Sequence, residues 1–291
     1  MSLYSSRCQR KLLCVHGRYA SCQHGFTLVE LVMVIVLLGV IGGMVSVFMK
    51  GPIDAYFASA RRAALTDVAD TTVRRMTRDI RMALPNSIRT PTTMPAGQCI
   101  EFIPTKTSGR YRADVDAAGN GDYLDFSAAD SSFNMLGSWD ALPKGQRIAS
   151  GDVVVVYNLG IPGSDAYSED NTATVVAAPT ESGLLAETNI VITPKLFPLA
   201  SGSNRFQVIA ASEKVVAYVC SAGNLHRTTS ATFSSSCPAT GPILARNATA
   251  CNFDYSGADL QRNALVRMVI QLTDNAETVS LQHEVHVSST P

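Results

Sequence analysis

Glu30 stands directly ahead of nineteen residues without a charge, Leu31 to Met49. A carboxylate at the head of such a run costs a few kcal/mol unless it snorkels, is protonated or meets a cation, so its chemistry is that of a charge needing a partner. A second set of acids is spaced for ion binding. Asp114, Asp116, Asp122 and Asp125 occupy the first, third, ninth and twelfth positions of a twelve-residue stretch, with Gly119 at the sixth and Asn120 at the seventh. Loops that wrap oxygen ligands around Ca²⁺ use this spacing. Ala118 at the fifth position, Asp rather than Glu at the twelfth, and strand-like flanks depart from that pattern. A Gly/Asn/Asp turn between strands has the same composition. Calcium is one expectation for the stretch and a plain turn is the other; no other cofactor is indicated.

Catalytic arrangements are missing from the sequence. There is no G-x-S-x-G, phosphate-binding or dinucleotide-binding pattern. His283-Glu284-Val285-His286 lacks H-E-x-x-H spacing. In a strand, His283 would share a face with Val279, Leu281, Val285 and Val287 while His286 points away. The expectation is a protein that is not an enzyme.

The chain of 291 residues has room for one large or two modest domains. A hydrophobic share of 46% excludes wholesale disorder. With 24 Lys and Arg against 24 Asp and Glu, nothing suggests a nucleic-acid partner. The first 25 residues carry Arg7, Arg10, Lys11 and Arg18 and no acid. A cationic leader before an apolar run of about 20 residues predicts a single membrane span with the N-terminus inside and the rest of the chain exported.

Beyond Gly51-Pro52 the pattern turns amphipathic, with Ile53, Phe57, Ala60, Ala64, Val68, Met76, Ile80 and Leu84 on one face. This predicts one helix from about Phe26 to Leu84, kinked at Pro52 and stopped by Pro85. Asp67, Asp70 and Asp79 among the arginines of its second half mark a solvated face rather than a nucleic-acid patch.

From residue 85 the composition favours strands: 100–103, 123–126, 152–157, 189–193, 206–209, 214–220, 264–273 and 277–287, the last two a hairpin across Asp274-Asn275-Ala276. Segments 160–171 and 230–236 read as loops. The fold class expected is α+β, a long helix packed on an antiparallel sheet.

A basic leader, then Gly25-Phe26-Thr27-Leu28-Val29-Glu30, then an apolar run, resembles the signal of type IV prepilins and type II secretion pseudopilins. The resemblance implies a pilin-like fold, cleavage after Gly25 by a prepilin peptidase, and N-methylation of the new first residue, Phe26, by the same enzyme. It also implies that Glu30 meets the terminal amine of a neighbouring subunit, although residues 26 and 30 of one helix are neighbours too. Gly39 and Gly43 have the small-xxx-small spacing that lets helices approach closely. Four parts are thereby expected: a cleaved leader (1–25), a transmembrane half-helix (26–50), an amphipathic half-helix (51–84) and a β-rich exported head (85–291).

Loss of the leader removes Cys8, Cys14 and Cys22 and four cations. The remaining 20 Lys and Arg face 24 Asp and Glu, a formal charge of −4. Cys99, Cys220, Cys237 and Cys251 stay, an even set for an oxidising compartment. The Gly/Ser/Thr-rich segment between Cys220 and Cys237 reads as a loop that a disulfide would close, which leaves Cys99 with Cys251. No C-x₂₋₄-C spacing supports zinc.

The segments Gly109-Arg-Tyr-Arg112, Gly119-Asn-Gly-Asp122 and Ala217-Tyr-Val-Cys220 resemble minor pilins of the mannose-sensitive haemagglutinin (MSHA) type IV pilus. That closer resemblance implies a subunit that initiates or caps a fibre. Its partners would be the peptidase/methyltransferase, other pilins along the N-terminal helix, and the inner-membrane assembly platform. It would sit in the inner membrane with its head in the periplasm, and later in the fibre. A J-type minor pseudopilin of type II secretion and a ligand-binding tip subunit, with Trp139 as a glycan contact, are the other readings.

Overall fold

The computed structural model describes residues 25–91, 95, 97–182, 186–234, 237–256 and 263–291. The expected leader, with Cys8, Cys14 and Cys22, lies outside these residues except for Gly25. One long helix, α1 (Leu28–Arg81), is followed by strands. In chain order these are β1 (Cys99–Phe102), β2 (Thr107–Arg110), β3 (Asp130–Met135), β4 (Val153–Val156), β5 (Thr172–Thr174), β6 (Thr180–Ser182) and β7 (Glu187–Lys195). Then come β8 (Arg205–Ile209), β9 (Val215–Ser221), β10 (Asn224–Ser230), β11 (Ile243–Arg246), β12 (Ala248–Ser256), β13 (Asn263–Asp274) and β14 (Glu277–Ser288). Tyr56 and Phe57 mark the boundary between two compact units, the second running to Pro291. The architecture is α+β and pilin-like.

α1 is continuous through Pro52. Its end tightens: the Met82 and Ala83 amides donate to the Asp79 and Ile80 carbonyls, after which Leu84 N–H donates to Ile103 O at 2.7 Å and ties the helix exit to the sheet. The buried stripe is Leu65, Ala69, Thr72, Val73, Met76, Thr77 and Ile80. This is offset from the expected one. Met76, Ile80 and Leu84 are buried as anticipated, but Ile53, Phe57 and Val68 are exposed. At 3.6 residues per turn a stripe through Leu65 and Ala69 lies beside one through Ala64 and Val68, and only the sheet's position decides which is covered.

Among the described residues four antiparallel sheets follow, with strand orders β1-β9-β10-β11, β12-β13-β14, β2-β8-β4-β5 and β3-β7-β6. The first two share one core with α1, built on Met76, Ile80, Phe102, Tyr218, Phe253 and Met268. The last two enclose a core to which α1 contributes nothing, around Tyr111, Phe133, Ile190 and Phe206. Since β1 pairs directly with β9, everything from β2 to β8 is an insertion between neighbouring strands of the helix-facing sheet. The expectation of one sheet on a helix accounts for only half of the head.

Within the insertion, Gly109 is required by close approach: a Cβ there would lie 2.8 Å from Met135 Sδ and from the Phe206 ring. The expected terminal hairpin is present, in register from Asn263↔Ser288 to Asp274↔Glu277. Asn275 and Ala276 form its turn with φ of 46° and 67°, the left-handed pair that matches strand twist. The expected strand at 123–126 is absent. There Leu124 N–H donates to Arg112 O and its side chain is buried in the insertion core.

Candidate processing and assembly segment

Gly25, Phe26 and Thr27 lie outside the helix. Thr27 caps it: its Oγ1 accepts the Glu30 N–H at 3.3 Å, and its carbonyl accepts the Leu31 N–H at 3.1 Å. Thr-x-x-Glu before an apolar run is the capping-box pattern, a local signal that the sequence reading did not use. The carboxylate of Glu30 in the first turn is also favoured by the positive end of the helix dipole. The cap fixes where the helix begins and leaves the Gly25–Phe26 peptide bond in non-helical backbone. Phe26 is 80% exposed, and no atom lies within 4 Å of a Cβ built on Gly25. A protease needs just such an unwound, reachable bond.

From Leu28 to Met49 every side chain is exposed, among them Val32, Ile35, Leu38, Ile41 and Met44. Gly39, Gly42 and Gly43 have nothing within 4 Å. The helix contains a stretch long and apolar enough to cross a bilayer. Burying one Val, Leu, Ile or Met is worth about 1.5–3 kcal/mol, so this surface leaves on the order of tens of kcal/mol unrealised in water. A helix apolar all round belongs in lipid or in the middle of an assembly. Among the described residues Glu30 has no ion-pair partner, so its charge remains available.

The second half of α1 is fastened to the head by side chains that sequence reasoning missed. Asp79 Oδ2 accepts the Tyr218 hydroxyl at 2.7 Å and Arg227 Nε–H at 2.9 Å, and Arg227 continues to Glu213 at 2.5 Å. Desolvation in this site raises the Tyr218 pKa above its usual value, with Asp79 adding to the effect. Arg62 pairs with Glu277 at 2.7 Å, but its 64% exposure makes that contact weak.

The acids of the twelve-residue stretch are turned to separate tasks. Asp116 Oδ1 accepts the Asn120 and Ala118 amides at 2.8 and 2.9 Å, and the Asn120 amide foremost holds its carboxyl below the usual range. Asp125 accepts both the amide and the hydroxyl of Ser127, which lowers its pKa likewise. Asp122 accepts from Ser132 and Asn189, and Asp114 from the Val115 amide.

The cation beside this stretch is Arg112, which donates to the Asp114 carbonyl at 3.0 Å and forms a two-pronged pair with Glu187. Gly121 lets it in, since a Cβ there would lie 2.6 Å from Arg112 Cδ. Among the described residues no group of three or more His, Cys, Asp or Glu is placed to hold a metal ion.

The cysteines pair as Cys99–Cys237 and Cys220–Cys251, with Cα separations of 6.3 and 6.1 Å, which corrects the expected Cys220–Cys237 and Cys99–Cys251. Alternation along β9 is the reason. Ala217 and Val219 share a small cluster with Cys99 and Cys237, whereas Tyr218 and Cys220 face the α1 core on the other side of the sheet. Nor is the segment after Cys220 a free loop, because β10 pairs with β9 from Asn224↔Ser221 to Ser230↔Val215. Trp139 packs on the edge of the insertion core beneath the Arg147 guanidinium. His283 lies on the α1 side of β14 beside Leu281.

The family model of the prokaryotic N-terminal methylation motif matches residues 20–46, which include Gly25, Phe26, Glu30 and most of the apolar run. No curated protein and no solved structure matches the chain. The motif supports a pilin or pseudopilin processed by prepilin peptidase, and with the unburied apolar helix it is consistent with membrane anchoring.

Proposed function

We propose that the protein is a minor pilin, a non-enzymatic subunit that helps initiate or cap an MSHA-like type IV pilus in the manner of MshO. Prepilin peptidase cuts it after Gly25 and methylates Phe26. It waits in the inner membrane with its head in the periplasm, and the assembly platform then passes it into the fibre. The observation that carries this reading is the capped apolar half of α1, exposed from Leu28 to Met49 and lying mostly within the matched motif. Among the described residues nothing else covers it, and other pilin helices would. In the fibre, Glu30 then has the N-terminal amine of a neighbour as its cation. The insertion between β1 and β9 enlarges the head beyond what the helix-facing sheets need, which suits a low-copy subunit better than a repeating one.

Deleting the gene tests the assignment. Loss of surface fibres with exoprotein secretion intact is expected; lost secretion with intact fibres would instead identify a J-type pseudopilin.

A further inference from the structure

A groove of about 600 Å³ runs between the last turns of α1 and β14. Its floor is apolar, from Val73 and Leu281, and its rim carries Arg78, Arg81 and His283. Arg74 on the same rim is already paired with Asp70 at 2.6 Å. Arg78 and Arg81 have no acidic partner among the described residues, so two guanidinium groups face the groove unspent. Thr77, also lining it, is 8% exposed, and its hydroxyl is buried without a hydrogen-bond partner. β14 is the outer strand of its sheet and pairs only with β13 among the described residues, so its other edge is open for main-chain pairing.

We propose that this groove receives an extended acidic segment of a neighbouring subunit, added as a strand along β14 with its carboxylates on Arg78 and Arg81. Charge complementarity selects an anionic occupant. The open strand edge and apolar floor select a peptide, with main-chain bonds supplying affinity and alternate side chains supplying specificity. Among the described residues no Phe, Tyr or Trp lines the groove, so the broad stacking platform that sugars and bases use is missing. The inference deepens the fibre-subunit reading and rests on it for the neighbouring subunit, while a peptide titration tests the groove independently of fibre assembly.

The test is a titration of the full-length protein in detergent micelles with a fluorescent octapeptide of alternating Glu and Val, read by anisotropy. Saturable binding is expected. It should weaken about tenfold or more in the Arg78→Glu, Arg81→Glu double variant and in the same peptide methylated on alternate backbone nitrogens, which cannot complete the strand pairing. Both arginines are exposed, so the variant should keep its thermal transition, and the methylated peptide tests the proposal on the unaltered protein. No saturable binding below about 1 mM, equal binding of a Lys/Val octapeptide, or undiminished binding to the double variant would overturn the proposal. Tighter binding of oligogalacturonate than of the peptide would assign the groove to an anionic glycan and overturn it equally.

Discussion

Asp79, in the last turn of α1, accepts a hydrogen bond from the Tyr218 hydroxyl at the centre of β9 at 2.7 Å. The bond joins the helix that carries the candidate assembly segment to the strand around which the first sheet is built. Asp79→Ala should destabilise the head by about 1–3 kcal/mol, because it strands a buried hydroxyl and removes one of the two acids on Arg227. Urea denaturation followed by near-ultraviolet dichroism measures this. Asp79→Asn, which can still accept from Tyr218, should recover part of the loss.

Peptide mapping without reduction should return Cys99 linked to Cys237 and Cys220 linked to Cys251. A Cys220–Cys237 peptide would mean that the β9 faces are wrongly assigned. Cys251→Ser should cost about 2–5 kcal/mol and leave the Cys99–Cys237 bond intact.

The Arg112–Glu187 pair gives the insertion an acid-sensitive joint. Arg112 foremost holds the Glu187 carboxyl below its ordinary pKa. A depressed folded-state pKa contributes stability that is present above the unfolded value and lost as pH falls through the folded one. Stability should therefore be full at neutral pH and decline below about pH 4.3, and Glu187→Gln should flatten that part of the profile. Denaturant midpoints across pH 3 to 7, compared between the two proteins, provide the check.

Calcium should leave the protein unchanged, because Arg112 already supplies the positive charge beside Asp114 and Asp116. Calorimetry with millimolar Ca²⁺ is expected to show no saturable heat; a binding isotherm abolished by Asp116→Ala would show that the loop rearranges around the ion.

The N-terminal segment was legible because its signals are local: Gly25, Phe26, Glu30 and the apolar run sit within a few turns of one another. The same holds for the last hairpin, where alternation and a short turn coincide. β10 was not legible, since Asn-Leu-His-Arg-Thr-Thr-Ser reads as a loop until β9 supplies its partner. The disulfide pairing failed for a related reason. Which face of β9 Cys220 occupies follows from sheet pairing far away in sequence, and loop length carries no information about it. The offset of the buried stripe on α1 likewise depends on where the sheet rests.

That the chain is cut between Gly25 and Phe26 and joins a fibre through the exposed helix is tested most directly by mass spectrometry of the mature protein's N-terminus. A chain that begins at N-methylated Phe26 is predicted, and one that still carries the residues ahead of Phe26 would contradict the assignment.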